Sequence, residues 1–122
     1  MTSGFTYIKS VDDFERELEK ANQQGKSVMV DFYADWCTYC KQYEAYVFPD
    51  AGVQQALANT VLLQADVTAT DADDKALMKH MGVFLPPAIL VFDTNGNELR
   101  PFRVVGTMKA DEFRQHIEQA LN

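Results

Sequence analysis

A chain of 122 residues, 47 % hydrophobic and 24 % charged, is long enough for one globular core and too short for two. Its net charge of −7 argues against nucleic acid or an anionic membrane surface as a partner. No apolar run approaches the ~18 residues of a membrane-spanning helix, and two cysteines are too few for a disulfide scaffold, so they point to chemistry rather than stapling.

Residues 1–9 are polar and aromatic with no clear period, and read as a short edge strand or as an extension or linker remnant ahead of a domain spanning 10–122. Met1-Thr2-Ser3-Gly4 has neither the basic start nor the apolar segment of a secretory signal, which taken literally means a cytoplasmic chain; a domain excised from a larger exported protein has the same look. Ser10-Val11-Asp12-Asp13 is a capping box, followed by Val11, Phe14, Leu18 and Ala21 at helical spacing, with Gly25 as the stop. Ser27 to Ala34 is a short β-favouring run interrupted by Asp31, and predicts a buried central strand.

From Thr38 the pattern is helical, with Tyr43 and Val47 on one face, and Pro49 should break it before a second piece carrying Val53, Ala56 and Leu57. Val61 to Val67 predicts a strand, and Thr70-Asp71-Ala72-Asp73 a second capping box opening a helix that Gly82 ends. Ala88 to Phe92 predicts a strand behind Pro86-Pro87. Asn95-Gly96 signals a hairpin to a last strand ending near Val104-Val105, and residues 109–121 form an amphipathic helix. The order predicts an α/β fold, a mixed sheet with helices on both faces and a site at the carboxyl end of a strand.

Both cysteines fall in Asp35-Trp36-Cys37-Thr38-Tyr39-Cys40-Lys41, between the Asp31 strand and the next helix. A cysteine at a helix start meets unpaired N–H groups that favour the thiolate, and Cys40 lies one turn on, close enough to close a small disulfide ring. That is a dithiol redox site, in which Cys37 attacks a disulfide and Cys40 resolves the mixed disulfide. A zinc site would need two further ligands, and only His80 and His116, on different predicted helices, offer imidazole nitrogens. Glu44, i+4 from Cys40, shares the cysteines' helix face; a solvated carboxylate is the alternative. Asp31 is costly in a central strand unless it has a task or a partner.

Val-Asp-Phe-Tyr-Ala-Asp-Trp-Cys-x-x-Cys-Lys, with the later proline-led Ile-Leu strand and a Gly before the last helix, resembles the thioredoxin family over roughly residues 10–121. Within it, the active-site segment, Glu44 and the run 61–71 are similar to the C-terminal periplasmic domain of the DsbD thiol:disulfide interchange proteins.

The resemblance implies a thioredoxin fold and a monomeric protein-disulfide reductase that needs no cofactor. Electrons would come from a transmembrane domain fed by cytoplasmic thioredoxin and pass to an N-terminal immunoglobulin-like domain that serves disulfide isomerase and cytochrome c maturation. It also places Asp31 beneath Cys40 as a buried proton acceptor, with Glu44 as a second acid. Both should raise the thiol pKa values and hold Cys37 quiet until a partner docks. Pro87 matches the family's cis-proline, which faces the cysteines and shapes the partner groove. Pro86 departs from the pattern: it has no N–H, so one strand-like hydrogen bond to a partner should be missing. Trp36 and Tyr39 should flank an exposed Cys37 and give apolar contact. The rivals are a free-standing thioredoxin reduced by a flavin enzyme, and a thioredoxin-fold binding module without redox turnover.

Overall fold

A computed structural model describes residues 4–121. Ser10 caps helix α1 (Val11–Gln23): its hydroxyl accepts from the Asp13 N–H, while the Asp13 carboxylate accepts from the Ser10 and Lys9 N–H groups. Phe14, Leu18 and Ala21 form the helix's buried face. Strand β2 (Ser27–Tyr33) lies at the centre, parallel to β3 (Thr60–Asp66) and antiparallel to β4 (Ala88–Phe92). Being paired on both edges and covered on both faces, it is apolar along nearly its whole length.

Strand β1 (Phe5–Ile8) pairs in parallel with β3 at one edge, which decides between the two readings of residues 1–9 for these four. Residues 1–3 lie outside the described residues. The sheet order is β1-β3-β2-β4-β5, with β5 (Val104–Val105) antiparallel to β4.

Strand alternation splits the core in two. Val28, Val30, Phe32, Leu63 and Leu90 face α1 and α4 (Ala72–Met81). Met29, Ile89 and Val91 face the other way, onto Tyr43, Val47, Phe48, Val53, Phe113 and Ile117. The latter come from a π-helical turn (Tyr43–Val47) that continues α2 (Thr38–Gln42), from Phe48 just after that turn, from α3 (Ala51–Ala56) and from α5 (Ala110–Leu121). The chain breaks at Pro49, as its missing N–H requires, and Asp50 caps α3. No described helix is long and apolar enough to cross a membrane.

Two local expectations shift. The second capping box sits one residue later, on Asp71 and Asp74. Thr70 instead adopts φ +50 and bonds the Val67 carbonyl, because Lys9 Nζ draws both aspartates, Asp74 at 2.6 Å and Asp71 at 2.9 Å. The Asn95-Gly96 turn forms, with Asp93 Oδ1 accepting from Asn95 and Asn97, but the last strand is only two residues long. Pro101 lies in a 3₁₀ turn (Arg100–Phe102) that interrupts the hairpin, and Arg103 then crosses to the carbonyls of Met81 and Gly82 at the end of α4.

Candidate functional site: a Cys-x-x-Cys pair and a buried acid

Cys37 is the N-cap of α2, and the structure holds Cys37 and Cys40 as a disulfide with Cα atoms 5.3 Å apart. The Cys40 N–H points at Cys37 Sγ at 3.2 Å, a donor placed to favour a thiolate on that sulfur. Cys40 is fully buried, its Sγ 3.7 Å from the carbonyl oxygen of Phe32 at the end of β2.

Cys37 was expected to be exposed and is not: 7 % of its surface is open, whereas Trp36 and Tyr39 on either side are about half exposed. Its sulfur turns inward to Cys40, leaving the rings outermost. The approach loop is pinned by Thr68, whose hydroxyl accepts from the Asp35 N–H at 2.8 Å and whose carbonyl accepts from the Trp36 indole at 3.3 Å.

Asp31 and Gln64 are directly paired in the β2–β3 register and both are 1 % exposed. They share the parity of Met29 and so lie on the face covered by the π turn, which brings Glu44 to them. The Gln64 amide donates to Asp31 Oδ2 at 2.9 Å and to Glu44 Oε2 at 3.1 Å, joining the two acids. Asp31 Oδ1 is buried with no hydrogen-bond partner among the described residues. Burial pushes the Asp31 pKa up to about 7; the Gln64 bond opposes that rise and the Glu44 charge adds to it.

The Pro86–Pro87 peptide is cis, and both rings are buried. Ala88, immediately after them, pairs with Phe32, the residue whose carbonyl meets Cys40, so the prolines stand at the same end of the sheet as the disulfide. Phe84 and Leu85, 93 % and 65 % exposed, precede them.

The structure thus brings together Cys37 with Cys40 and Asp31 with Glu44, and sets Pro86 and Pro87 at the same sheet end. The two histidines are engaged elsewhere, His80 with Glu15 and His116 with the Phe102 carbonyl. The sequence reading missed Gln64, Thr68 and the Phe84-Leu85 pair. Gln64 had a signal, a polar residue inside an apolar strand; Phe84 and Leu85 had none, because apolar residues beside a strand read as core.

A family model described as a thioredoxin-like domain matches residues 14–121. The thiol:disulfide interchange protein DsbD of Escherichia coli strain K12 is 53 % identical over 113 residues, covering 93 % of this chain and 20 % of that protein. The chain therefore spans about a fifth of the length of the curated relatives it matches. The oxidised C-terminal domain of Neisseria meningitidis DsbD superimposes with a TM-score of 0.81 at 32 % identity, covering 94 % of this chain and 99 % of that one. A thioredoxin from Thermus thermophilus, 24 % identical with a TM-score of 0.72 over 95 % of this chain and 86 % of that one, shares the fold.

Proposed function

This chain belongs to the thioredoxin-like domain family, alongside the C-terminal domains of DsbD, and from that premise we propose that it is a protein-disulfide reductase and electron shuttle. The observation that carries the reading is the Cys37–Cys40 disulfide, closed at the carboxyl end of the central strand that also holds the buried acid Asp31.

In the reduced form, the Cys37 thiolate attacks one sulfur of a partner's disulfide. A Cys37–partner disulfide forms and the partner's other sulfur leaves as a thiolate that takes up a proton. Cys40 gives its proton to the ionised Asp31 and attacks Cys37 Sγ. The Cys37–Cys40 disulfide closes, and the second partner sulfur leaves as a thiolate that takes up a proton from solvent. Two electrons have moved to the partner, and the cysteines carry them without a cofactor. The same steps in reverse, with a more reducing dithiol, reload the site.

Asp31, the neighbour of the residue whose carbonyl meets Cys40, and Glu44 add negative charge to this end of the sheet when ionised, which disfavours a free thiolate and keeps the reduced pair from discharging into every disulfide it meets. Trp36 and Tyr39 present the exposed apolar rings of the partner face, the buried Pro86 and Pro87 shape the backbone behind it, and Pro86 withholds one backbone donor from it. By analogy with the relatives, the donor is the dithiol of a transmembrane domain and the acceptor an N-terminal domain of the same longer protein. On the same resemblance, we propose that the domain works in the periplasm, as a monomer.

A Cys40→Ala variant tests the reading, because it stops resolution after the first attack. It should accumulate a mixed disulfide through Cys37 with the N-terminal domain of a DsbD protein, visible on a non-reducing gel. A thioredoxin-fold binding module would give none. A free-standing thioredoxin would instead be reduced rapidly by a flavin-dependent thioredoxin reductase, which this domain should use poorly.

A further inference from the structure

Tyr43 opens the π turn, three residues beyond Cys40. Its ring is held by apolar packing: it stacks on Phe48 with centroids 5.6 Å apart and meets Phe113 edge-on at 6.0 Å. The hydroxyl reaches beyond that packing and donates a 2.8 Å hydrogen bond to the carbonyl oxygen of Gly106. Gly106, at φ +93, directly follows Val105, which is 74 % exposed and pairs with Ala88 beside Pro87. One bond thus joins the helical segment that carries the dithiol to the strand end next to the prolines. Tyr39, Tyr43 and Thr107 line one cleft of ≈ 380 Å³.

We infer that Tyr43 is a positioning residue for partner exchange: its hydroxyl latches the Val105–Gly106 segment to the redox helix, fixing the strand end that a disulfide-bearing polypeptide meets on its way to Cys37. The inference rests on the reading of this chain as a protein-disulfide reductant. The latch stands apart from the sulfur chemistry, since its acceptor is a backbone carbonyl. Losing it changes how a polypeptide is held, not how electrons are shared. Burial, reinforced by the charges of Asp31 and Glu112, raises the phenol pKa to about 12, so the donor persists through neutral pH.

Tyr43→Phe deletes the hydroxyl and keeps the ring contacts, so the variant retains its core. Glutathione needs no docking surface, whereas the disulfide-bonded N-terminal domain of a DsbD protein does. The KM for that protein disulfide should rise about fivefold, the loss of one neutral hydrogen bond, with kcat and the glutathione equilibrium constant changed by less than about twofold. Backbone amide exchange of residues 105–108 should quicken. An unchanged KM, unchanged exchange at 105–108, or an equal change in the glutathione equilibrium would overturn the latch. A wild-type domain that leaves the protein disulfide unreduced overturns the functional reading instead, and shows it before any variant is compared.

Discussion

A carboxyl group with 1 % of its surface exposed either finds a counter-charge or holds its proton, and Asp31 has a neutral amide as its donor and a second acid nearby. Folded Asp31 keeps its proton to about pH 7, whereas an unfolded aspartate releases it near pH ~4. Between those values the folded state binds the extra proton, so its stability falls as pH rises. Asp31→Asn removes the cost of the buried charge. Above pH 7 it should be more stable than wild type by roughly 1–4 kcal/mol, a gap that closes below pH ~4. Urea unfolding across that range checks this, and a gap independent of pH would contradict it.

At this scale the sequence was partly legible. Asp31 announced itself by interrupting an apolar run, and Glu44 by its spacing from Cys40. Gln64 was hidden because its meaning depends on the β2–β3 register, which a single strand's pattern does not carry. The hydroxyl of Tyr43 was hidden because its spacing reads as core, and its ring is core.

Among elements, the junction of α1 and α4 depends on Lys9. Its ammonium sits on Asp74, which is almost completely buried, and on Asp71, and those two bonds hold the Lys9 pKa well above its usual value. Its backbone N–H also supports Asp13, whose pKa is lowered to about 2, first by the Ser10 N–H, then by the Lys9 N–H and Arg16. One residue thus connects two capping boxes. Lys9→Met should cost about 1–2 kcal/mol, between an exposed pair and a buried one, because Asp74 loses its cation while Lys9 is partly solvated. A matching fall in the denaturation midpoint checks it. A loss of no more than a few tenths of a kcal/mol would mean that the helix caps alone satisfy Asp74.

Helices were legible where a cap and apolar spacing agreed, as in α1, or where apolar spacing alone was clear, as in α5. The second box was misplaced by one residue because Lys9, more than sixty positions away, selects its register. The π turn and the shortened last strand were not legible: the first leaves the apolar spacing intact, and the second follows from where Pro101 and Arg103 carry the chain.

For the whole molecule, the central strand is the organising fact. Parallel β3 brings Gln64 to Asp31, and antiparallel β4 starts where β2 ends, so Pro86 and Pro87 arrive at the end of the sheet where α2 begins. A mixed sheet with helices on both faces was legible from the order of elements, but the direction of β4 was not: strands joined through a helix are expected to run parallel, whereas β4, reached from β3 through α4, runs antiparallel to β2. Nor was the direction of electron flow, since the same Cys-x-x-Cys geometry serves oxidants and reductants. That direction follows from how the surroundings weigh thiolate against disulfide. Here the Cys40 N–H favours the Cys37 thiolate while Asp31 and Glu44 oppose it, and the account holds that the carboxylates prevail.

Equilibrating the Cys37–Cys40 pair against glutathione buffers measures that balance directly. A reduction potential near that of thioredoxin, about −270 mV, or modestly above it, is the value the account predicts for a reducing shuttle. A potential near about −120 mV, as in DsbA, would make this domain an oxidant and contradict the role assigned to Asp31 and Glu44.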